Sequence, residues 1–312
     1  MRPVRELALV LALAGSSAAA DLAYITCQNG DAVGVIDTTT GAQIVEWSVP
    51  GKPAGVAVAQ DAVFTVAPEA KTVRRHDPAS GTVQASITLD GGPIGIAHDP
   101  ARGRLFVSDW YNARIWVLDA TTLATTAELT VGAAPAGLAL SADGRTLASA
   151  DRDADQVTLF EADSLTPRAQ VIVGARPFGL RFGPAGRLFV GNVGSDDVTV
   201  IDPDTASVIT TVPVGARPYG VAFARGRAFV TNQYEDSVSV INLSTLTTEA
   251  TLDTGEYPEG IDASRDGSQI IVANWFDNTV TIFSADTLSV LQTVTTCDGP
   301  RAFGTFLGGD IQ

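Results

Sequence analysis

Residues 214–232 read VGARPYGVAFARGRAFVTN. Pro218 has a fixed φ and no N–H, so it opens a strand from a loop rather than sitting inside one. Gly220 follows two residues later, then the short apolar run Val221-Ala222-Phe223. A turn leads to Arg227 to Asn232, a second strand by its β-branched and aromatic content. Downstream, Val238-Ser239-Val240-Ile241 alternates at period two and reads as a third strand, and Thr247 to Leu252 as a fourth.

The same proline–glycine mark recurs along the chain: Pro53/Gly55, Pro93/Gly95, Pro135/Gly137, Pro177/Gly179, Pro218/Gly220 and Pro258/Gly260, with a longer seventh copy at Pro300/Gly304. Successive prolines are 40, 42, 42, 41, 40 and 42 residues apart. That period is the size of one four-stranded propeller blade. The reading is all-β: a seven-bladed β-propeller filling residues 21–312, with residues 1–20 set apart. The chain after residue 20 opens on a second strand, Leu22 to Cys27, and finishes on a first strand near Phe303 to Leu307. The C-terminal strand is therefore expected to pair with the N-terminal strand inside one blade, which closes the ring and removes free sheet edges.

Composition narrows the function. The 312 residues carry 35 acidic and 20 basic side chains, a formal charge of −15. Nucleic-acid binding is excluded, because phosphate neutralisation needs clustered Lys and Arg. Hydrophobic residues make up 45%, enough for a packed core. No CxxCH attaches a haem, and no G-x-S-x-G elbow, Ser-His-Asp spacing or phosphate loop occurs. No cofactor, catalytic residue or metal site is assigned.

The first twenty residues read as an export signal. Arg2 and Arg5 precede the apolar run Leu7 to Ala14, which is too short to span a bilayer. Ser16 to Ala20 then supply small residues before Asp21, an A-x-A cleavage pattern. A periplasmic or secreted chain without a membrane span is expected, in a compartment where disulfides persist. Cys27 and Cys297 are the only cysteines, and closure of the last blade brings the end of one strand beside the start of its neighbour, so they are expected to form a disulfide.

Residues repeated in columns have structural readings, and departures from a column are candidates. Asp37, Asp77, Asp119, Asp202 and Asn242 begin the turns between third and fourth strands and read as turn formers. The ends of the second strands carry Cys27, Ala67, Asp109, Asp151, Asn192, Asn232 and Asn274; this is a capping column or, through Asp109 and Asp151, an oxygen set for Ca²⁺. Lys52, Arg176 and Arg217 precede the blade prolines and Arg301 follows one, with Phe178 and Tyr219 in the same loops. Cations beside aromatic faces suit an anionic ligand. Trp110, Tyr111, Tyr234, Trp275 and Phe276 fall in the loops between second and third strands, on the same face, and suit a docking patch. Arg181 and Asp262 interrupt the small residues of the innermost strands and are expected near the channel. His76 and His98 each stand alone in their columns and read as ordinary strand residues.

The strand ends Phe229-Val230-Thr231-Asn232, Phe189-Val190-Gly191-Asn192 and Ile271-Val272-Ala273-Asn274 share one pattern, followed by polar loops and strands such as Val198 to Asp202. With Val-Gly-Ala-Arg-Pro at 173–177 and 214–218, the chain resembles the YVTN-repeat β-propeller family over nearly all of residues 22–308. The resemblance implies the propeller and leaves the activity open, since the family includes accessory propellers of quinoprotein catabolism and is related to the amine dehydrogenase heavy chain. The reading is an exported, monomeric, non-catalytic module that binds a protein partner or a small anionic ligand. The alternatives are a metal-dependent sugar-lactonase-type hydrolase and a subunit-like partner of a quinone or haem amine or alcohol dehydrogenase. Intact-mass analysis of exported protein is expected to give a chain beginning at Asp21; a product retaining Leu7 to Ala14 contradicts the export reading.

Overall fold

A computed structural model describes residues 21–309, so the expected signal segment and its cleavage site lie outside the described residues. The architecture is the seven-bladed β-propeller. Blades 1 to 6 span residues 55–88, 93–130, 135–172, 177–213, 218–253 and 258–295 in chain order. In blade 5 the four strands are Pro218–Ala224, Arg227–Asn232, Ser237–Asn242 and Thr247–Asp253, antiparallel throughout. Blade 7 joins the two ends of the chain: Leu307–Gly309 is its innermost strand, beside Asp21–Cys27, Ala32–Asp37 and Ala42–Ser48. Among the described residues no helix is long and apolar enough to cross a membrane.

The glycine of each Pro-x-Gly mark has one physical reason. A Cβ on Gly179 would overlap the carbonyl oxygen of Tyr219, and one on Gly95 that of Ala136. The inner strands of neighbouring blades thus approach backbone to backbone around the axis, and only glycine allows it. Farther out, buried rings fill the gaps between blades: Phe64 and Trp116 between blades 1 and 2, Phe229 and Phe283 between blades 5 and 6. Each such ring contributes roughly 1.5–3 kcal/mol of burial. The turn column behaves as read. Asp37, Asp77, Asp119, Asp202 and Asn242 each accept backbone N–H groups two and three residues onward.

Closure differs in detail from the expected strand at Phe303 to Leu307. Arg301 N donates to Thr26 O at 2.7 Å and Tyr24 N to Phe306 O at 2.9 Å, so the C-terminal segment does run along the N-terminal strand. Between those contacts the chain bows toward the axis, and Phe303–Thr305 pairs in parallel with Gly55–Val58, the innermost strand of blade 1. Antiparallel pairing with Asp21 to Ala23 resumes only at Leu307–Gly309. The extra two residues between Pro300 and Gly304 form this bow. Gly304 has φ +136°, and a Cβ there would overlap Val56 O.

Cys27 and Cys297 are disulfide-bonded, with Cα atoms 5.7 Å apart and a sequence separation of 270. Chain entropy for so long a loop is worth at most about 5 kcal/mol. The Cys27→Ala/Cys297→Ala variant is expected to lose roughly 2–5 kcal/mol in urea denaturation. Alkylation of the non-reduced, unfolded wild type should find no free thiol; two free thiols would refute the bond.

Candidate functional site: the proline-loop face and the channel

A repeated clasp builds the proline-loop face. In the loop between second and third strands, Asp31, Asp155, Asp196, Asp236 and Asn278 take φ near +50 to +57°. Asp and Asn tolerate this left-handed region better than other side chains. Each side-chain oxygen accepts the backbone N–H of the residue 21 positions on, just before a blade proline: Lys52, Arg176, Arg217, Tyr257 and Gly299, at 2.7–2.9 Å. Those residues are themselves left-handed. The cations at Lys52, Arg176 and Arg217 therefore sit on loops fixed through their backbones, each with a carboxylate beside it. Arg176 is exposed, and its side chain has no polar partner among the described residues.

The residue after each proline faces the axis. Phe178 and Tyr219 are buried, not rim groups, and meet Phe303. Ring centroids are 4.5 Å apart for Phe178 and Tyr219, 5.1 Å for Phe178 and Phe303, and 6.0 Å for Trp110 and Phe178. These rings plug the channel at this end. Arg301 is likewise inward. It pairs with Glu259 at 3.0 Å, donates to the Tyr219 hydroxyl at 2.7 Å and reaches Gln28 Oε1 at 3.2 Å. Gln233 Nε2 donates to Glu259 at 2.7 Å, and Arg217 Nε donates to Gln233 Oε1 at 3.0 Å. Burial pushes the Glu259 carboxyl above its ordinary range against the pull of Arg301. It also raises the Tyr219 phenol. Sequence reasoning missed Glu259, although it is the only acid in the post-proline column Ala54, Ile94, Ala136, Phe178, Tyr219, Glu259, Arg301.

Outside the plug, the loops of blades 5 and 6 gather Tyr234, Trp275 and Phe276 around Tyr257, which the sequence reading also missed. Tyr257 lies 5.7 Å from Tyr234, 5.9 Å from Trp275 and 4.9 Å from Phe276, centroid to centroid. Tyr234 and Phe276 remain 57% and 58% exposed, too open to be core. Arg217 lies over the Tyr234 ring at 4.5 Å and donates to its hydroxyl at 3.1 Å. Tyr111 is exposed on blade 2, apart from this group, while its neighbour Trp110 packs on the plug with Arg152 over its ring.

Asp109 and Asp151 are enclosed separately, each by donors of its own blade or the loop entering it. Asp109 accepts from Gly92 N, Asn112 and Arg114, each at 2.8 Å. Burial raises its carboxyl, but these donors outweigh that and hold it below the usual range. Asp151 accepts from Ser149, Gln156, Thr158 and Gly132 N, and burial still pushes it up. Among the described residues no cluster of three or more acids, His or Cys is placed to hold a metal ion. His76 is held between Thr65 Oγ1 and Gly81 O.

Below the plug lies a cavity of about 360 Å³, walled by Ile96, Leu138, Leu180, Ile261 and Phe303. His98, Pro100, Ala142, Arg181 and Thr305 line it toward the opposite face. Arg181 and Asp262 pair across blades 4 and 6 at 2.8 Å. The fold and this site together define a propeller whose channel is sealed at the proline-loop face and open at the other. The model of the Cytochrome D1 heme domain family matches residues 186–301. The hydrazine synthase of Kuenenia stuttgartiensis has a similar structure, with TM-score 0.73 and 17% identity over 81% of this chain and 89% of that chain, a likeness of fold. No curated protein matches the sequence.

A haem needs a wide slot and an axial imidazole, thiolate, thioether or phenolate. Here the proline-loop mouth is filled by three rings, the two sulfurs among the described residues are in the disulfide, and the Tyr219 hydroxyl is taken by Arg301. The residues at this mouth do not fit a haem.

Removing one partner of a buried ion pair strands the other, at roughly 3–5 kcal/mol, whereas apolar replacement of both is far milder. Glu259→Leu is expected to destabilise by about 3 kcal/mol or more in urea denaturation. The Glu259→Leu/Arg301→Leu double variant should recover most of that loss.

Proposed function

We propose that the chain is an exported YVTN-type propeller acting as a non-catalytic module, which docks a protein partner on the proline-loop face at blades 5 and 6. The observation that carries this reading is the aromatic group in which exposed Tyr234 and Phe276 stand on half-buried Tyr257 and Trp275, beside Arg217 and over a channel mouth that is sealed. Aromatic and Arg side chains supply large contact area with a polar handle, the composition of binding hot spots. A sealed mouth gives no substrate path from this side, so the surface itself is the functional element. The hydrolase alternative loses its ligands, because Asp109 and Asp151 are each saturated within their own surroundings.

The partner we propose is a haem- or quinone-bearing enzyme of the periplasm. Two likenesses support the choice: the family match names a haem domain, and the similar structure is a hydrazine synthase, both from redox proteins. In this reading the propeller supplies recognition and the partner supplies the cofactor.

A photo-crosslinking residue in place of Phe276 should give a discrete adduct in cells, identified by mass spectrometry as a redox-enzyme subunit. The same residue at Thr205, in a turn of the opposite face, should give none. Tyr257→Ala should abolish the Phe276 adduct. Equal adducts from both faces, or EDTA-sensitive lactone hydrolysis by the purified protein, would reverse the reading.

A further inference from the structure

The channel cavity has an apolar body and a polar mouth, and the two ends differ in what they leave free. At the sealed end the charged groups are turned toward one another. Glu259 is held by Arg301 and Gln233, and Arg301 by Glu259, Tyr219 and Gln28. The walls are Ile96, Leu138, Leu180, Val221, Ile261 and Phe303, with the glycines of the inner strands between them. Its volume of about 360 Å³ lies at the small end of the range for ligand pockets, roughly 300–1,000 Å³.

The open end is unbalanced. Asp262 looks like a simple counter-charge to Arg181, but its four acceptor positions are taken. Oδ1 holds Arg181 at 2.8 Å and Ala263 N at 3.0 Å; Oδ2 holds Phe306 N at 2.9 Å and Leu307 N at 3.1 Å. Three backbone dipoles thus share the carboxylate, which ties the closing strand to blade 6. The guanidinium has five N–H donors in a planar fork. One meets Asp262, and one reaches Val221 O at a long 3.4 Å. At least three N–H groups of Arg181 are left over, on a side chain that lines the cavity and keeps 21% of its surface accessible. His98 lines the same cavity from blade 2, with no hydrogen-bond partner among the described residues.

We propose that this cavity is a binding site for a small apolar monocarboxylate, entered from the face opposite the proline loops. The hydrocarbon body lies against Leu138, Leu180, Ile261 and Phe303. The carboxylate accepts from the free edge of the Arg181 fork, a geometry that suits bidentate recognition. Arg181 selects for the anion because burying its unpaired donors against an uncharged ligand leaves them unsatisfied. The site is separate from the docking surface and stands or falls without it.

Benzoate is a suitable probe, and benzyl alcohol an uncharged one of like shape. The chain contains only two histidines, so their ring C–H resonances in proton NMR report position directly. Benzoate is expected to shift the His98 signals and leave those of His76, packed between blades 7 and 1, in place. Binding should be at least ten-fold weaker for benzyl alcohol, and at least ten-fold weaker for benzoate with Arg181→Met. Thr305→Trp, an exposed rim position that leaves Arg181 untouched, should block benzoate while preserving cooperative unfolding; it also serves if Arg181→Met does not fold. Equal affinity for the two probes, indifference to both substitutions, or no shift at His98 would overturn the assignment.

Discussion

Everything in this molecule depends on residues 298–309 lying along the strand Asp21–Cys27. A ring of blades has no internal stop: each blade buries its face against the next, and the last must find the first. Here the join combines several kinds of bond. Backbone pairs link Gln28 N to Gly299 O, Arg301 N to Thr26 O and Tyr24 N to Phe306 O. The Thr26 hydroxyl donates to Ala54 O and accepts from Ala302 N, so one side chain bridges three segments. Asp262 anchors Phe306 and Leu307 from blade 6, and the disulfide fixes the outer end of the seam. The bow at Phe303–Thr305 lets the same segment pair with blade 1 as well. Closure is thereby shared among three neighbouring blades.

Closure sets the radius, and the radius decides what meets at the axis. Post-proline residues far apart in the chain become neighbours: Phe178, Tyr219, Glu259 and Arg301 come from four successive blades and touch in one layer. A buried ion pair contributes little net stability, because desolvation offsets the attraction. What it provides here is a plug that is polar on one flank and aromatic on the other. The two ends of the channel consequently have different chemistry.

The clasp explains why charged residues can stand on this rim at no structural cost to the blades. Left-handed backbone at a non-glycine residue costs on the order of 1–2 kcal/mol. A side-chain oxygen from 21 residues upstream offsets that by holding the strained N–H in five of the loops. The backbone is thus set by the Asp or Asn, and the side chain before each proline is free to vary: Lys, Arg, Tyr or Gly. That freedom is how a repeated loop comes to carry one aromatic surface on blades 5 and 6.

Much of this was legible in the sequence, because it is local or periodic. The blade count, the four-strand unit, the turn aspartates and the pairing of the two chain ends follow from spacing, alternation and turn chemistry, which act over a few residues at a time. The disulfide followed once the phase of the ends was read. The tertiary structure alone decided which side chains face inward. Phe178, Tyr219 and Arg301 read as rim groups, since a loop residue beside a proline can point either way until the ring radius is known. Glu259 and Tyr257 passed unnoticed because their meaning lies in partners 18 to 42 residues away, on other strands and loops. Asp109 and Asp151 resembled metal ligands in a column and proved to be enclosed one by one, because adjacent positions in a repeat point along separate blades rather than toward one another. Periodicity determines the architecture; convergence across the axis exists only once the ring is closed.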